Sequence, residues 1–378
     1  MKERFAWHRL LAVMLKELIQ LRRDRLTFAM MVGIPIIQMT LFGFAINGDP
    51  KRLPTAVIAH ENTVYTRSLV RALENSRYFE VAHPSIDEQE ADTLLAEGRV
   101  QFVLTVPAGF ARALERGERP ALLVEADATD PTATANAIGA VQQLGATALQ
   151  HDLTGALAPL QQGLPPFEWR IQRRYNPEGI TQYNIVPGLM GVVLTMTMVM
   201  MTSIAMTRER ERGTMENLLA TPVRPLEVML GKIAPYVVVG YVQVVVILTA
   251  AKFLFGVPMV GSLVLLSAVM LLFIAANLAI GFTFSTLARS QMQAMQMTMF
   301  FFLPSILLSG FMFPYRGMPR WAQVLGEVFP LTHFLRVVRG IMLKGADFAD
   351  VAASVWPLAL ILGVVSAAAL MRYQRTLD

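Results

Sequence analysis

Long uncharged runs of apolar residues are the main feature of the hydrophobic pattern. A helix that spans a bilayer satisfies its backbone polar groups internally, and it needs about 20 mostly apolar residues to cross the apolar core. Residues 233–287 carry one charge, Lys252, and a turn containing glycine and proline at 256–261 divides them into two spans. We therefore predict six transmembrane helices, at 26–47, at 183–207, three within 233–315 (the last at 290–315) and one at 351–371. An even number of spans places both termini on one side.

Basic residues near the ends of the spans indicate the orientation of the chain. Lys and Arg accumulate on the cytoplasmic side, and seven of them precede residue 26 while five lie in the loop 208–232. Both termini, including the tail 372–378, are therefore predicted to be cytoplasmic. The segment 316–350 conflicts with the rule for basic residues. It carries five of them, but the number of preceding spans places it on the outside. We expect it to form re-entrant or interfacial extracytoplasmic helices.

Residues 1–25 combine an apolar stripe with a basic face. Charges recur throughout this segment, and no small-residue cleavage site follows a short apolar core, so a cleavable signal peptide is not expected. The pattern favours an amphipathic helix in the cytoplasmic interface, with an ordinary packed helix as the alternative. The stripe consists of Trp7, Leu11, Met14, Leu18 and Leu21.

A segment of different composition, residues 48–182, separates the first two spans. It is rich in charged residues and is predicted to be a soluble extracytoplasmic domain. Short apolar runs indicate strands, and the longer segments between them indicate helices. The predicted strands are 55–59, 100–106, 121–125 and 167–175, and the predicted helices are 64–76, 87–97, 107–116 and 131–157. This alternation predicts an α/β sandwich, with Pro107 at a first helical position and Gly117 at a helix stop.

The composition agrees with a membrane protein and excludes several chemistries. Of 378 residues, 54% are hydrophobic and 16% are charged, and the mean hydropathy is +0.46, so a water-exposed globule is not expected. The absence of cysteine excludes disulfides, thiolate metal sites and a cysteine nucleophile. The net charge of +5 lies mostly outside the apolar runs, and we predict no nucleic-acid partner. Because His60, His83 and His151 lack metal-ligand spacing, no metal site is predicted.

The loop between the second and third spans carries the most informative motif. Residues 208–222 read Arg-Glu-Arg-Glu-Arg-Gly-Thr-Met-Glu-Asn-Leu-Leu-Ala-Thr-Pro. Thr214 is placed to cap a short helix, Glu216 falls in the first turn, where the helix dipole favours an anion, and Pro222 ends the helix. Such a rigid element at the membrane face is able to transmit force from a soluble partner. A solvated charge run followed by an ordinary capped turn explains the same residues equally well.

This motif resembles the hallmark of ABC-2-type permeases, in the bacterial multidrug-exporter branch. The resemblance covers almost the whole chain and includes Asn176-Pro177 and Pro187-Gly188. It also includes residues 303–314, which read Leu-Pro-Ser-Ile-Leu-Leu-Ser-Gly-Phe-Met-Phe-Pro, followed by Met318-Pro319. The family resemblance implies a multi-pass protein of the bacterial cytoplasmic (inner) membrane. It also implies an interfacial N-terminal helix, six spans, an extracytoplasmic domain after the first span and re-entrant helices before the sixth.

The resemblance implies that the segment around 213–221 is a coupling helix seated in a cleft of an ATPase subunit. The chain has no Gly-x-x-x-x-Gly-Lys-Ser/Thr phosphate loop, because Gly231-Lys232 is followed by Ile233. We therefore expect no enzyme activity in this chain, with ATP and magnesium bound by a separate ATPase. Two permease halves, identical or paralogous, would complete the transporter. The implied coupling residues are Arg208, Glu209, Glu211, Gly213, Thr214, Glu216, Leu218, Leu219, Thr221 and Pro222.

Methionine and phenylalanine cluster in the second and fifth spans, which in the family meet across the dimer. Methionine adapts to varied shapes and aromatic rings stack, so both suit an amphipathic or aromatic cargo. The candidate path residues are Met196, Met200, Phe301 and Phe302. Lipid contact or helix packing is the alternative for each of them. No charged residue lies deep in a predicted span, which argues against ion-coupled transport.

The sequence therefore predicts the permease subunit of an ABC exporter for hydrophobic or amphipathic compounds, drug-like or lipid-like. Two alternatives remain open. One is a non-transport membrane scaffold or sensor whose extracytoplasmic domain binds a ligand. The other is a permease for lipid or glycan export. A periplasmic adaptor is a further partner that the sequence leaves open.

Overall fold

The structure is a computed structural model that describes residues 50–161, 164–211 and 225–375. The predicted interfacial helix 1–25, the first span 26–47 and most of the coupling loop, residues 212–224, lie outside the described residues. The structure does not describe the side chains of residues 209–210, 225–234 and 373–375. The described part consists of an α/β region followed by a bundle of long apolar helices.

The α/β region is built on a five-stranded sheet in the order β2-β1-β3-β4-β5. The β3–β4 pair is antiparallel, and the other three pairs are parallel. In chain order its elements are β1 (Leu53–Ala59), α1 (Val64–Asn75), β2 (Phe79–His83), α2 (Glu88–Ala96), β3 (Phe102–Val106), α3 (Phe110–Glu115), β4 (Ala121–Asp127), α4 (Pro131–Thr147), a 3₁₀ helix (Gly155–Gln161) and β5 (Glu168–Arg174).

Apolar side chains cover both faces of the sheet, because successive strand residues point to opposite sides. On one face, Val57 and Leu104 pack with residues of α1 and α4. On the other, Ile58 and Val103 pack with residues of α2. The four predicted strands overlap β1, β3, β4 and β5, whereas the short strand β2 was not predicted.

Two predicted helix boundaries in this region are wrong. The helix predicted at 107–116 begins at Phe110, because the Glu61 carboxylate accepts hydrogen bonds from the backbone N–H groups of Gly109 and Ala111, at 3.0 and 2.6 Å. Pro107 is therefore not a first helical residue, although Gly117 does follow the end of this helix, with φ of +72°. The helix predicted at 131–157 ends at Thr147. Beyond it, the Gln161 amide donates to backbone carbonyls at 150 and 153, which favours turns over continued helix.

Seven helices and one π-helical turn follow the sheet in the described residues. They are α5 (Thr181–Glu211), α6 (Pro225–Phe253), α7 (Leu263–Leu287), α8 (Gln291–Leu308), α9 (Arg320–Gly326), α10 (Pro330–Arg339), the π-helical turn (Gly340–Lys344) and α11 (Phe348–Arg375), with a short 3₁₀ helix at Tyr315–Gly317. Four of them, α5, α6, α7 and α11, contain segments long and apolar enough to cross a membrane. The turn predicted at 256–261 is confirmed, because it lies between α6 and α7.

The fifth predicted span, 290–315, is too long. Its helix α8 ends at Leu308, and Gly310 then adopts the left-handed conformation, with φ of +86°, which ordinary L residues rarely adopt. Helix α8 is not among the four helices that satisfy the length and apolarity criteria for a span. A full crossing by α8 therefore stays a prediction.

Helix α7 forms the centre of the bundle, and close backbone approach fixes α5 against it. A Cβ atom at Gly281 of α7 would lie 2.6 Å from the carbonyl oxygen of Val199 on α5, so only glycine fits there. Helix α10, inside the segment predicted to be re-entrant, also packs into this core through Phe334, whose ring stacks on Phe273 of α7 at 4.1 Å. This packing makes α10 part of the helical core, and its relation to the membrane interface stays a prediction.

Candidate functional site: the α5 face, the C-terminal end of α5 and a polar junction

The first residues of the predicted coupling motif lie at the end of α5. The Glu211 carboxylate accepts hydrogen bonds from the Gln291 backbone N–H at 2.7 Å and from the Gln291 side-chain amide at 2.5 Å. These hydrogen bonds lower the pKa of Glu211, so the side chain stays ionised at neutral pH. Glu211 thereby ties the end of α5 to the first residue of α8. A displacement of the loop that follows α5 would be passed directly to both helices.

The rest of the predicted coupling motif is not described. Arg208 is exposed at the end of α5, and only the backbone of Glu209 is described. The remaining candidates, Gly213, Thr214, Glu216, Leu218, Leu219, Thr221 and Pro222, lie outside the described residues. Their coupling role therefore stays a prediction.

Helix α5 presents an apolar face that no described residue covers. Ile185, Leu189 and Val193 are between 37% and 41% exposed. The candidates Met196 and Met200 are half-buried and continue the same stripe, at spacings of three and four residues. We call these five residues the α5 face. Its apolar, adaptable side chains suit either a cargo or a second protein surface.

The two phenylalanine candidates on α8 have partners within the chain. The Phe301 ring lies 5.7 Å from that of Phe284 and 5.5 Å from that of Phe329. Phe302 packs against the helical core. These contacts favour helix packing, the alternative to a path role. The neighbouring Phe300 is 38% exposed and is the more accessible ring on this helix.

Motif residues on which the family resemblance rested meet in space. Asn176 is fully buried, and its side chain accepts from the Ile180 N–H and donates to the Ile180 carbonyl, which shapes the turn into α5. Gly188 of α5 lies against Phe311, because a Cβ there would be 2.6 Å from that ring. The Pro187-Gly188 and 303–314 motifs are thus two sides of one contact, between α5 and the segment that follows α8.

A buried ion pair joins the α/β region to the helical bundle, and sequence reasoning missed it. Lys344 Nζ lies 2.6 Å from Asp127 Oδ2 at the end of β4, with both side chains less than a tenth exposed. The same ammonium donates to the Leu95 carbonyl at 3.1 Å and lies 5.1 Å from the centre of the Tyr175 ring. Burial and the nearby Asp127 charge raise the pKa of Tyr175 to about 12.

A second charged group lies beside this pair. Glu327 accepts hydrogen bonds from Tyr315 and from Arg336, which also lies 4.5 Å from the Tyr315 ring centre. Burial opposes ionisation of Glu327, but these bonds outweigh it and lower its pKa. Burial lowers the pKa of the neighbouring His333, which favours the neutral ring. The Lys344–Asp127 pair, the group of Glu327, Tyr315 and Arg336, and the cavity between them form what we call the polar junction. In the described residues, no group of His, Asp and Glu side chains is arranged to hold a metal ion.

The long apolar helices and the attached sheet define a helical membrane protein that also carries an α/β region. A sequence model described as "ABC-2 family transporter protein" matches residues 25–371. The chain therefore belongs to the ABC-2 family of transporter proteins and is a permease.

Several named proteins are similar to this chain. A probable multidrug ABC transporter permease of Escherichia coli, YbhS, is 30% identical over 348 residues, which cover 90% of each chain. Another from the same organism, YbhR, is 28% identical over 98% of this chain and 99% of its own length. The linearmycin resistance permease protein LnrN of Bacillus subtilis is 20% identical, over 86% and 88%.

Proposed function

We infer that this permease exports hydrophobic or amphipathic compounds, drug-like or lipid-like, across the bacterial cytoplasmic membrane with energy from a separate ATPase subunit. The observation that carries the proposal is the uncovered apolar α5 face within a family of transporter proteins. The names of the relatives, two multidrug permeases and a linearmycin resistance permease, support cargo of this type.

The ATPase is proposed to dock on the loop that follows α5. The sequence has no phosphate-binding loop of its own, so ATP and magnesium belong to the partner. The Glu211–Gln291 hydrogen bonds supply a physical route by which that partner would move α5 and α8 together.

A second permease subunit, identical or paralogous, is proposed to face α5. Because single membrane helices pack without a hydrophobic driving force, close fit between adaptable surfaces decides such contacts. The α5 face and the exposed Met292, Met295 and Phe300 of α8 provide that surface. A cargo path between two halves would then be lined by methionine and phenylalanine from both.

The docking proposal is tested with the permease and its ATPase purified as one complex. Glu216→Lys reverses the charge at the predicted helix N-terminus and should lower cargo-stimulated ATP hydrolysis and copurification of the ATPase, while membrane insertion is unchanged. Glu178→Lys, the same substitution at an exposed position outside the loop 208–232, is the control. Equal stimulation of ATP hydrolysis in the unmodified protein and in both variants would exclude a coupling role for Glu216. Cargo-dependent signalling without transport would favour the sensor alternative.

The proposed orientation, with both termini cytoplasmic and the α/β region outside, has its own test. Single cysteines are introduced into the Cys-free chain at Arg67 and Val324, which are exposed, and at Gly213. An impermeant thiol reagent applied to whole cells with permeable outer membranes should label the first two positions and leave Gly213→Cys unlabelled. Labelling of Val324→Cys only from the cytoplasmic side would contradict six spans.

A further inference from the structure

The polar junction encloses a cavity of about 470 Å³ between the α/β region and the helical bundle. Its walls come from α2, β4 and α4 on one side and from the 309–316 segment, α9, α10 and the start of α11 on the other. Ligand pockets for small molecules are typically about 300 to 1,000 Å³, so the space suits a compact polar molecule or a headgroup.

Most of the charges that line this cavity are already neutralised within the chain. Lys344 pairs with Asp127 at 2.6 Å, Arg336 pairs with Glu327, and Arg99 lies 3.5 Å from Glu97. Each pair combines a cation and an anion of the cavity wall. These six groups therefore leave no net charge for a ligand to neutralise.

The two remaining acidic residues in the wall serve as helix caps. Asp130 Oδ1 accepts from the Thr132 and Ala133 N–H groups at the start of α4 and from the Asn184 amide at 3.3 Å. Asp350 Oδ2 accepts from the Asp347 N–H at 2.9 Å at the start of α11. One oxygen of each carboxylate thus serves as a cap, because unpaired N–H groups at a helix start need an acceptor, and both carboxylates keep their negative charge.

The two remaining cations, Arg316 and Arg339, have no carboxylate within 4.0 Å among the described residues. Arg339 donates one hydrogen bond, from Nη1 to the Gly310 carbonyl at 3.3 Å. Its Nε and Nη2 atoms are buried and have no hydrogen-bond partner in the part of the chain that the structure describes. Arg316 lies at the exposed side of the cavity and donates from Nη2 to the Gly98 carbonyl at 3.3 Å.

Unpaired buried guanidinium nitrogens are costly, and burial lowers the pKa of Arg339, although the charges of Asp130 and Asp127 act in the opposite direction. Burial also lowers the pKa of Arg316, and repulsion by Arg336 lowers it further. An anion in the cavity would relieve both costs. The planar guanidinium, with two free donors on one edge, matches the oxygens of a phosphate or carboxylate.

We propose that the cavity of the polar junction binds an oxyanion, a phosphate group, through Arg339 at its inner wall and Arg316 at its exposed side. This site is separate from the α5 face and does not depend on the proposed cargo. The oxyanion has two sources, a phospholipid headgroup from the bilayer or a free anion from the extracytoplasmic solution.

The test measures ligand-induced thermal stabilisation of the full chain in a neutral detergent. The two probes are dihexanoyl phosphatidylglycerol and inorganic phosphate, each titrated at constant ionic strength. We expect a saturable rise in Tm with at least one probe, and an apparent Kd that is at least tenfold weaker in Arg339→Gln, because a hydrogen bond to a charged group contributes more than a factor of ten. Tighter binding of the lipid identifies a headgroup, and tighter binding of phosphate identifies a free anion.

Arg320→Gln is the matched control, because Arg320 is exposed, does not line the cavity and loses the same charge. Its Tm shifts should equal those of the unmodified chain. Arg316→Gln should weaken binding several-fold and carries the test if Arg339→Gln does not fold. The proposal is overturned if neither probe gives a saturable shift, or if both cavity variants bind as tightly as Arg320→Gln.

Discussion

The polar junction and the α5 face are two surfaces of this chain that are built in opposite ways. At the junction, charged groups such as Lys344 and Asp127 are buried and paired, because both partners belong to this chain. On the α5 face, apolar side chains such as Leu189 remain 41% exposed, because no described residue covers them. The contrast indicates that the junction is completed within the chain, whereas the described residues leave the α5 face open to another apolar surface.

The largest expected effect comes from breaking the junction. Lys344→Met would leave the buried Asp127 charge without its cation and should lower the free energy of unfolding by about 3 to 5 kcal/mol. Asp127→Asn combined with Lys344→Met should recover much of this loss, since no charge is then left unpaired. The measurement is chemical unfolding of the detergent-solubilised chain.

The surface pair Arg116–Glu118, at 3.2 Å with both side chains more than half exposed, is the control for this prediction. Arg116→Met should change stability by about 1 kcal/mol or less. A similar loss in Arg116→Met and Lys344→Met would contradict the assignment of the junction as a buried, structure-determining contact.

The next effect separates the two faces of α5 itself. Met198 is fully buried towards the bundle, and Met198→Ala should cost about 2 to 5 kcal/mol and reduce export of every compound together. Met200 lies two residues further along and is half-buried on the α5 face, so its truncation should have a different effect from that of Met198. Met200→Ala and Met196→Ala should change the relative export of compounds in a panel while protein abundance stays constant. Proportional losses for every compound in all three variants would mean that the α5 face only packs.

Two neighbouring phenylalanines of α8, one packed and one exposed, should also give different effects, although the difference is smaller than on α5. Phe301→Ala removes a ring that contacts Phe284 and Phe329 and should lower membrane abundance. Phe300→Ala alters an exposed ring and should affect cargo preference instead. Quantitative blotting alongside the compound panel distinguishes the two, and the opposite assignment of effects would restore Phe301 as a path residue.

A moderate loss of stability is expected from a substitution at the point where α5 and α7 approach most closely. Gly281→Ala places a methyl group 2.6 Å from the Val199 carbonyl oxygen and should cost about 1 to 3 kcal/mol. Gly363→Ala in α11 is the matched control, because nothing lies within 4 Å of its Cβ position. It should be neutral or slightly stabilising, since alanine is the better helix former. Equal unfolding midpoints for both variants would contradict the tight α5–α7 contact.

The smallest effect on stability is expected at the end of α5. Glu211→Gln weakens two hydrogen bonds to Gln291 at an exposed position, so the folded protein should be nearly unaffected. Cargo-stimulated ATP hydrolysis by the partner subunit should nevertheless fall, because α5 and α8 are less firmly linked. Full stimulation in this variant would exclude the Glu211–Gln291 link from coupling.

The features predicted from sequence are those encoded by local pattern. The turn at 256–261 separates two apolar runs, and the short apolar runs at 55–59 and 121–125 predicted the buried strands β1 and β4. In each case the signal lies within about ten neighbouring residues. The family motif was equally local, since residues 208–222 are contiguous.

The features that were missed depend on distant partners. Lys344 and Asp127 are 217 residues apart, and neither has a local pattern that distinguishes it from a surface charge. The start of α3 depends on Glu61, about 50 residues away, and the partners of Phe301 lie on other elements. Such contacts are set by tertiary packing, which a single sequence does not reveal.

The central claim, ATP-driven export by this permease, is tested most directly in inside-out membrane vesicles that contain the chain and its ATPase. The measured quantity is uptake of an amphipathic fluorescent dye after addition of ATP and magnesium. We predict uptake that requires ATP hydrolysis, persists when the proton gradient is dissipated, and is absent when either subunit is omitted. Uptake that proceeds without ATP and disappears with the proton gradient, or no uptake of any dye by a complex that hydrolyses ATP, would contradict the account.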